Sequence, residues 1–493
     1  MSFTAESSQL NVQNHADGER EIPALLPRDV PGHQFVVYAD CCSGVPGAKF
    51  EPNFAAVNAV VARIHPQPDF IIFPGDHILG ITQDYAALRQ QWNYWLQTEM
   101  KRLKKRSIEI FHTTSNHNTY DVESEQVWRD VFPEIPCNGP AGQEGLSYFV
   151  RRDDFLLVCV NTAFSGLGGN GHVEHEWLDQ VLCANDDAAH KFVAGHHPVL
   201  PVNGYERYPF WRIVPNEGQA FWDILVKHHV QAYLCSHIIA FDVQAQQGVL
   251  QVCTGGAGTN YGPGGFMPGR TEYHHAVQFA VDPAGTRYQV IDTNGTVRER
   301  LEWPISLPLA DEWKHVNPEE ASATFGGAWD DSSHNLGDDW LCAWRISGVL
   351  HHIASGKNTQ SLLCGWDDLE GAATIWIGFE GCPPVLTIKL VTESGMGTQT
   401  WTGTVLTPGE PFDFELALHS GMGPGGVLYR LDDASPWSSL QSSTSMGAEN
   451  LIWPRKWYIG HSQSGISDRP FLGGNLRAAW TKRHLPTPSQ SGH

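Results

Sequence analysis

Five apolar segments in the first half of the chain are each followed, within a few residues, by an aspartate, an asparagine or a histidine. Each segment has the length and composition of a buried strand. Ligands of layered α/β sheets bind at the carboxyl ends of strands, so these polar side chains are expected to share one edge. The segments and their polar residues are 35–39 with Asp40, 70–73 with Asp76, 108–112 with Asn116 and His117, 191–194 with His196 and His197, and 231–235 with His237.

Segments with helical spacing separate these strands. Helices are predicted at 54–64, 84–103 and 219–229, and further strands at 155–161 and 249–254. This alternation is typical of a layered α/β domain. The segment 84–103 buries one helical face, because its apolar residues recur at steps of three and four, at Tyr85, Leu88, Trp92, Trp95, Leu96 and Leu103.

The chain has 493 residues, which is more than one ordinary hydrophobic core accommodates, and the α/β alternation ends near Arg300. A proline-rich stretch follows, and beyond it short apolar runs alternate with turn residues, as in an antiparallel sandwich. The predicted divisions are a polar leader at 1–30, the α/β domain at 31–300, a linker at 301–319, an all-β sandwich at 320–483 and a tail at 484–493.

Charge and hydropathy argue against two classes of binding partner, nucleic acids and membranes. The formal net charge of -22 argues against a nucleic-acid-binding surface, because phosphate backbones favour clustered Lys and Arg. The first residues lack an apolar signal-peptide core, and no apolar stretch is long enough to cross a bilayer. Ten Cys in so long a chain are sparse and suit a reducing compartment. A cytoplasmic location with no membrane partner is therefore expected.

The polar residues that follow the strands form a donor set for a metal. A single His after a strand is more often a structural group, but the ordered series from Asp40 to His237 combines carboxylate, amide and imidazole donors. Such a mixture suits Zn, Fe or Mn. One or two transition-metal ions are predicted here.

The order Asp, Gly-Asp, Asn-His, His-His-Pro and His resembles the motifs of the calcineurin-like metallophosphoesterase family over about residues 30–300. The resemblance implies a four-layer α/β/β/α sandwich that holds two metals between two sheets and hydrolyses a small, anionic phosphoester. It also implies that Asp76 bridges the metals, that Asn116, His196 and His237 complete the second site, and that His117 protonates the leaving group or stabilises charge on the phosphoryl group.

The sequence departs from the family pattern at the first metal site. Asp40 matches, but Cys42 stands where the family has a His ligand, and Ile239 occupies the place of another. Asn118 replaces the acidic residue that usually follows the His corresponding to His117. The resemblance therefore implies that the first metal site is degenerate.

Three hypotheses account for these departures. The first is a one-metal hydrolase that uses the second site, and the second is a rebuilt two-metal site to which Cys42 contributes a thiolate and His77 an imidazole. The third is loss of phosphoester chemistry, with the fold kept for another metal-dependent reaction or as a non-catalytic protein that binds a metal or a ligand. The leading prediction is a metal-dependent phosphoesterase-like hydrolase, with Asp40 and His117 as catalytic residues and Asp40, Cys42, Asp76, Asn116, His196 and His237 as metal ligands.

The segment 320–483 resembles a concanavalin or laminin-G-like jelly-roll sandwich in several of its strand-like runs. The resemblance implies carbohydrate binding through exposed tryptophans, among them Trp366 and Trp401. The alternative is that the tryptophans pack the core and that the domain buttresses the first domain or forms an oligomer interface. The sequence leaves both open.

Overall fold

The computed structural model describes most of the chain. The described residues are 20–167, 171–203, 205, 211–259, 273–316, 340–351, 359–367, 372–391, 398–442, 454, 456–460 and 471–484. No helix among these residues has the length and apolar character needed to span a membrane.

The first part of the fold contains two six-stranded mixed sheets and a short two-stranded pair, β1 with β3. In chain order its strands are β1 Ile22–Pro23, β2 His33–Val37, β3 Ile64–His65, β4 Phe70–Phe73, β5 Glu109–His112, β6 Tyr148–Arg152, β7 Phe155–Cys159, β8 His190–Ala194, β9 Ala232–Cys235, β10 Phe241–Gln246, β11 Val249–Thr254, β12 His275–Asp282, β13 Gly285–Asp292 and β14 Val297–Trp303. One sheet has the order β14-β13-β12-β2-β4-β5 and the other β10-β11-β9-β8-β7-β6. The central strands β2, β4 and β5 are parallel to one another, as are β7, β8, β9 and β11.

Phenylalanines fill the space between the two sheets. The ring of Phe35 in β2 lies 5.5 Å from that of Phe155 in β7 and 5.3 Å from that of Phe192 in β8, with an edge-to-face arrangement in both pairs. On its own sheet Phe35 stacks on Phe70 and Phe279. Such ring pairs stabilise by about 0.5–1.5 kcal/mol beyond the burial of their area. The facing sheets therefore share one aromatic core.

Helices cover the outer faces of both sheets. They are α1 Glu51–Val61, α2 Tyr85–Tyr94, α3 Lys101–Lys104, α4 Val122–Val131, α5 His175–Ala184 and α6 Pro215–Lys227. Helix α1 contacts β12 and β13 of the first sheet, whereas α5 and α6 pack together over the second, where Leu178 and Phe221 join its hydrophobic cluster. The layers run α/β/β/α, so the predicted α/β fold is confirmed.

The predicted helix at 84–103 forms, but it is not continuous. Asp84 caps its start, accepting hydrogen bonds from the backbone N–H groups of Ala86 and Ala87. A π-helical turn at Trp95–Glu99 then separates α2 from α3. The apolar face is buried as predicted, at Leu88, Trp92, Trp95 and Leu103.

Where the structure describes it, the C-terminal part consists of strands and two short 3₁₀ turns, Ala310–Glu312 and Ser420–Gly425. Its strands are β15 Lys314–Val316, β16 Trp340–Leu350, β17 Thr359–Asp367, β18 Ala372–Glu380, β19 Val385–Val391, β20 Thr398–Val405, β21 Pro411–His419, β22 Val427–Arg430, β23 Ser438–Ser439, β24 Gln441–Ser442, β25 Lys456–Ile459 and β26 Gly473–His484. They form two antiparallel sheets, β15-β26-β16-β21-β22-β23 and β24-β20-β19-β18-β17-β25. The predicted all-β character is confirmed.

Tryptophans of the C-terminal sheets are largely buried. Trp344, Trp457 and Trp480 lie in the core between the sheets. Of the two residues predicted to contact a glycan, Trp366 is partly exposed, and the side chain of Trp401 lies outside the described part of the chain. Glycan binding, the oligomer interface and the jelly-roll assignment stay predictions.

The two parts of the molecule are in contact. The backbone N–H groups of Ala245 and Gln247 donate to the hydroxyls of Ser439 and Ser438 at 2.9 and 2.8 Å. The backbone N–H of Gly248 donates to the carbonyl of Trp437 at 2.9 Å. The C-terminal sheets thus lie against β10 and the turn that follows it, at the edge of the second sheet.

Candidate metal centre

The polar residues singled out in the sequence follow the carboxyl ends of parallel strands. Asp40 follows β2, Asp76 follows β4, and Asn116 and His117 follow β5, all in the first sheet. His196 and His237 follow β8 and β9 in the second sheet. Because the two sheets pack face to face, their adjacent edges bring both groups into one buried cleft.

Three possible ligand atoms converge around one nitrogen atom of His196. Its Nε2 lies 2.8 Å from Asn116 Oδ1, 3.0 Å from His237 Nδ1 and 3.4 Å from Asp76 Oδ1. Its other nitrogen, Nδ1, lies 2.9 Å from the carbonyl oxygen of Pro74, which can only accept a hydrogen bond. His196 Nδ1 therefore carries the proton, and Nε2 presents a lone pair to the other three groups.

This arrangement fits a divalent cation. The carboxylate of Asp76 and the amide oxygen of Asn116 are acceptors, so His237 is the one group of the three that could supply a proton to Nε2. Even with that proton, two oxygen acceptors would still face a lone pair in a buried site. A cation at this point would satisfy all four groups, and two imidazoles with two oxygens suit Zn, Mn or Fe. We call Asp76, Asn116, His196 and His237 the His196 side of the centre.

Outer contacts hold the imidazole of His196 in this orientation. The hydroxyl of Ser236 lies 3.0 Å from His196 Nδ1 and donates to the carbonyl of Pro74 at 2.6 Å. Gly75, at φ +97°, approaches so closely that a Cβ there would lie 2.6 Å from His196 Nδ1. Partners of this kind fix the tautomer and ring plane of a metal-ligating histidine.

The backbone is strained where the candidate ligands lie. Asp40, Cys42, Asp76 and His237 adopt positive φ angles of 63°, 39°, 52° and 68°. Side chains other than Gly rarely take this conformation, and it is held only where the surrounding structure enforces it. Such strain is concentrated at functional sites, which marks these turns as parts of a built site.

Charges within the cleft act on Asp76. Burial alone would raise the pKa of this carboxyl, but the imidazoles of His196, His117 and His237 lower it to about 2. Burial lowers the pKa of His237 to about 3, so its imidazole is neutral at physiological pH. Asp76 is thus an ionised acceptor beside a neutral nitrogen donor, which is the state that metal binding requires.

The part of the cleft around Asp40 and Cys42 is built differently. We call Asp40, Cys42 and Ile239 the Cys42 side of the centre. Asp40 Oδ2 accepts a hydrogen bond from the backbone N–H of His237 at 3.0 Å, whereas its Oδ1 is buried with no hydrogen-bond partner. Cys42 Sγ lies 3.8 Å from Asp76 Oδ2. Burial, together with the charge of Asp76, raises the pKa of both Asp40 and the Cys42 thiol.

His77 does not take part in the centre. Its Nε2 lies 3.0 Å from His112 Nδ1, and its Nδ1 lies 2.7 Å from the side-chain amide nitrogen of Asn118. The ring is fully buried among aromatic side chains, among them Phe73, Trp92, Trp95 and Trp128. The hypothesis that His77 replaces a missing ligand is wrong, because both of its nitrogens are already engaged away from the cleft.

His117 lies at the mouth of the cleft, with 27% of its side chain exposed. Its Nδ1 donates to the carbonyl oxygen of Leu79 at 2.6 Å, and its Nε2 lies 3.9 Å from Asp76 Oδ2. The backbone of Leu79 therefore orients the imidazole, while Asn118 contacts His77 instead. The sequence could not indicate the role of this carbonyl, because every residue has a backbone carbonyl and residue type does not mark the one that orients His117.

His197 and Thr162 are further residues of the cleft. The ring of His197 lies 4.5 Å from that of His237, and ligand atoms of His196, His197 and His237 lie within 4.8 Å of one another. The hydroxyl of Thr162 lies 2.7 Å from His197 Nδ1. Burial lowers the pKa of His197, so it is a neutral ring beside the His196 side. The His-His-Pro sequence pointed to His197, but nothing in the sequence indicated Thr162.

Comparisons with known proteins gave one family match and several similar solved structures. Residues 33–241 match the family model described as calcineurin-like phosphoesterase, whereas a comparison with curated proteins gave no match. A purple acid phosphatase from yellow lupin (Lupinus luteus) seeds is similar, with 13% identity and a TM-score of 0.44 over 56% of this chain and 54% of that chain. The chain thus spans about half the length of that enzyme.

Two further solved structures are similar. A dimetal phosphatase from Danio rerio has 15% identity and a TM-score of 0.38, over 53% of this chain and 95% of that chain. GAP50, the anchor in the inner membrane complex of Plasmodium, has 12% identity and a TM-score of 0.39, over 56% of this chain and 89% of that chain.

Proposed function

We propose that residues 33–241, which form a calcineurin-like metallophosphoesterase domain, bind one divalent metal ion on the His196 side and hydrolyse a small phosphoester. The observation that carries this proposal is the convergence of Asp76, Asn116 and His237 on the lone pair of His196 Nε2. When bound there, a divalent cation supplies Lewis acidity toward a phosphoryl oxygen. Beside Cys42 the nearest described imidazole is that of His117, whose Nδ1 is already bonded to the carbonyl of Leu79, so one ion on the His196 side is the expected content.

His117 is the residue proposed to handle the proton. Because its Nδ1 donates to the carbonyl of Leu79, a protonated ring presents Nε2–H toward the cleft. As the oxygen of a water molecule bonds to phosphorus and the bond from phosphorus to the leaving group breaks, that proton can pass to the oxygen of the leaving group. Alternatively, it can form a hydrogen bond with a phosphoryl oxygen. Asp40 stays a proposed catalytic residue and ligand on the strength of its buried Oδ1, which has no other partner.

Metal analysis and turnover together test the proposal. The full chain, purified without chelator, is expected to contain one equivalent of Zn, Mn or Fe and to hydrolyse at least one member of a panel of phosphomonoesters and phosphodiesters. Removal of the metal with EDTA should abolish turnover, and adding the metal back should restore it. A metal-free protein that turns over none of the panel would overturn the proposal.

The changes on the Cys42 side favour a second candidate, a protein that binds a metal or a ligand without hydrolysis. The double variant Cys42→His/Ile239→His restores the two imidazoles that the family pattern has there. If the native chain hydrolyses phosphoesters without this change, the second candidate fails. If turnover appears only in the double variant, together with a second equivalent of metal, the native protein does not hydrolyse phosphoesters and the second candidate is supported.

A further inference from the structure

We infer that the phosphoester carries an apolar ester group and that this group lies on a rim of exposed apolar side chains beside the cleft. The inference rests on the proposed function and names its substrate class. More than half of the large apolar side chains exposed in the described residues belong to this apolar rim. Its members are Leu79, Ile81, Val122, Phe164, Leu167 and Val214.

All members of the apolar rim lie in the segments that follow strands of the two sheets. Leu79 and Ile81 follow β4, and Val122 begins α4 after β5. Phe164 and Leu167 follow β7, and Val214 precedes α6 after β8. These are strand ends of the same edge that presents Asp76, His117 and His196, so the rim and the cleft share one face of the domain.

Hydrogen bonds join the rim directly to His117. The carbonyl of Leu79 accepts from His117 Nδ1 at 2.6 Å, and the backbone N–H of Ile81 donates to the carbonyl of His117 at 3.3 Å. Gly80 lies against the same carbonyl, where a Cβ would have no room. A group leaving from phosphorus beside His117 Nε2 would therefore lie next to Leu79 and Ile81.

The far side of the rim is held in place rather than loose. The buried carboxylate of Glu125 accepts from the backbone N–H of Gly166 at 2.6 Å and from the hydroxyl of Ser165 at 2.9 Å. Gly166 packs against Val122, and the ring of Phe164 stacks on His172 at 5.1 Å. The turn that presents Phe164 and Leu167 to solvent is therefore preformed.

The exposure of these side chains gives the rim its expected role. Leu167 is 82% exposed, Val122 61% and Ile81 59%. Gly166 of the turn that carries Phe164 and Leu167 lies against Val122, and Gly171 of the same loop lies against Val214, so these exposed side chains are close together. Exposed apolar side chains gathered in this way mark a binding surface. Since this surface adjoins a cleft lined by donors for phosphate and metal, the substrate that covers both parts has an anionic phosphoryl group and an aryl or alkyl ester group.

Kinetics with two aryl esters test the inference. Phenyl phosphate and 2-naphthyl phosphate have leaving groups of similar acidity but different apolar area. The native enzyme should prefer the naphthyl ester in kcat/KM, and Leu167→Ser and Val122→Ser should each reduce that preference by about three- to tenfold, through KM. Leu309→Ser is the matched control, since Leu309 is 73% exposed but lies in the connection to the C-terminal sheets. It should leave the preference unchanged.

The outcomes separate the two proposals. Turnover of both esters with equal kcat/KM overturns the rim while the proposed function stands. If neither ester nor any other phosphoester is hydrolysed, the proposed function fails. The role of the apolar rim is then tested by measuring the affinities for phenylphosphonate and 2-naphthylphosphonate by calorimetry. Tighter binding of the naphthyl compound that Leu167→Ser removes supports the rim. Equal binding overturns it, as does an oligomer that rim variants dissociate without any change in KM or affinity.

Discussion

The His196 side and the Cys42 side of the centre adjoin one another in one cleft, yet their side chains are held in different ways. On the His196 side, four donors face one point, and the imidazole of His196 is held by the carbonyl of Pro74. On the Cys42 side, Asp40 Oδ1 is buried without a partner and the thiol of Cys42 has a raised pKa. The His196 side thus has both its donors and the outer contacts that orient them, whereas the Cys42 side has donors without such contacts.

This difference teaches that a metal site is more than its donor atoms. Each side contains a carboxylate, Asp76 on the His196 side and Asp40 on the Cys42 side, but orientation of a ligand requires partners on its other atoms. Burial and the carboxylates of Asp76 and Asp40 raise the pKa of the Cys42 thiol, which disfavours the thiolate. The comparison therefore predicts that changes to the His196 side remove the metal, whereas changes to the Cys42 side alter it little.

The largest effect is expected from His196→Ala. The variant should lose more than about 100-fold in metal affinity, because it removes a ligand outright and not merely an orienting partner. Metal content by mass spectrometry and turnover of a phosphoester are the measurements. His228→Ala is the control, since His228 is buried and paired with Asp179 at 2.7 Å away from the cleft. Retention of metal by His196→Ala would contradict the conclusion that the His196 side holds the metal.

Burial of a carboxyl can be tested apart from the metal at Glu299, whose partner is the hydroxyl of Tyr273. Burial raises the pKa of Glu299 from 4.5 to about 7, so its stabilising contribution is complete below pH 4.5 and is lost as the pH rises through 7. The free energy of unfolding of the native chain should therefore fall between pH 5 and pH 8. In Glu299→Gln, which has no carboxyl to titrate, this fall should be smaller by about 1–3 kcal/mol. Urea unfolding at both pH values measures this, and unchanged metal content is expected. An identical pH dependence in both proteins would refute the assignment.

Ser236→Ala tests the outer contacts on the His196 side. The variant removes the hydroxyl that lies between His196 Nδ1 and the carbonyl of Pro74, and metal affinity should fall about tenfold. Competition with a chromogenic chelator measures the affinity. Ser361→Ala, which removes the acceptor of the Trp376 indole N–H in the C-terminal sheets, should leave it unchanged. Equal affinities in all three proteins would show that Pro74 alone orients His196.

The smallest effect is expected on the Cys42 side. Cys42→Ser should change metal affinity by less than about twofold, because a buried thiol without a stabilising cation is a weak ligand. The native metal and its stoichiometry should also persist. A loss of bound metal, or a change in which metal is retained, would show that the thiolate coordinates and would favour the rebuilt two-metal site.

Much of the site could be predicted from the sequence because strand ends leave a local signature. The apolar runs before Asp76 and His196 become β4 and β8, and the polar residues follow them as expected. Helix 84–103 was predicted in its buried face but not in its π-helical turn, because the apolar spacing fits both helical forms. The carbonyls of Leu79 and Pro74, which orient His117 and His196, carry no sequence signal at all.

His77 and His196 show where sequence reasoning stops. Each is an imidazole that follows a buried strand of the same domain, and by residue type either could bind a metal. The aromatic rings of Trp92, Trp95 and Trp128 close around His77, while the carbonyl of Pro74 turns His196 toward the cleft. The sequence by itself determined the α/β order and the donor types, and it has Cys42 and Ile239 at the two places where the family resemblance implies imidazoles. Only the tertiary structure decided which donors meet. An imidazole can face the cleft only if its other nitrogen has a hydrogen-bond partner that orients the ring, and that partner comes from a strand distant in the sequence.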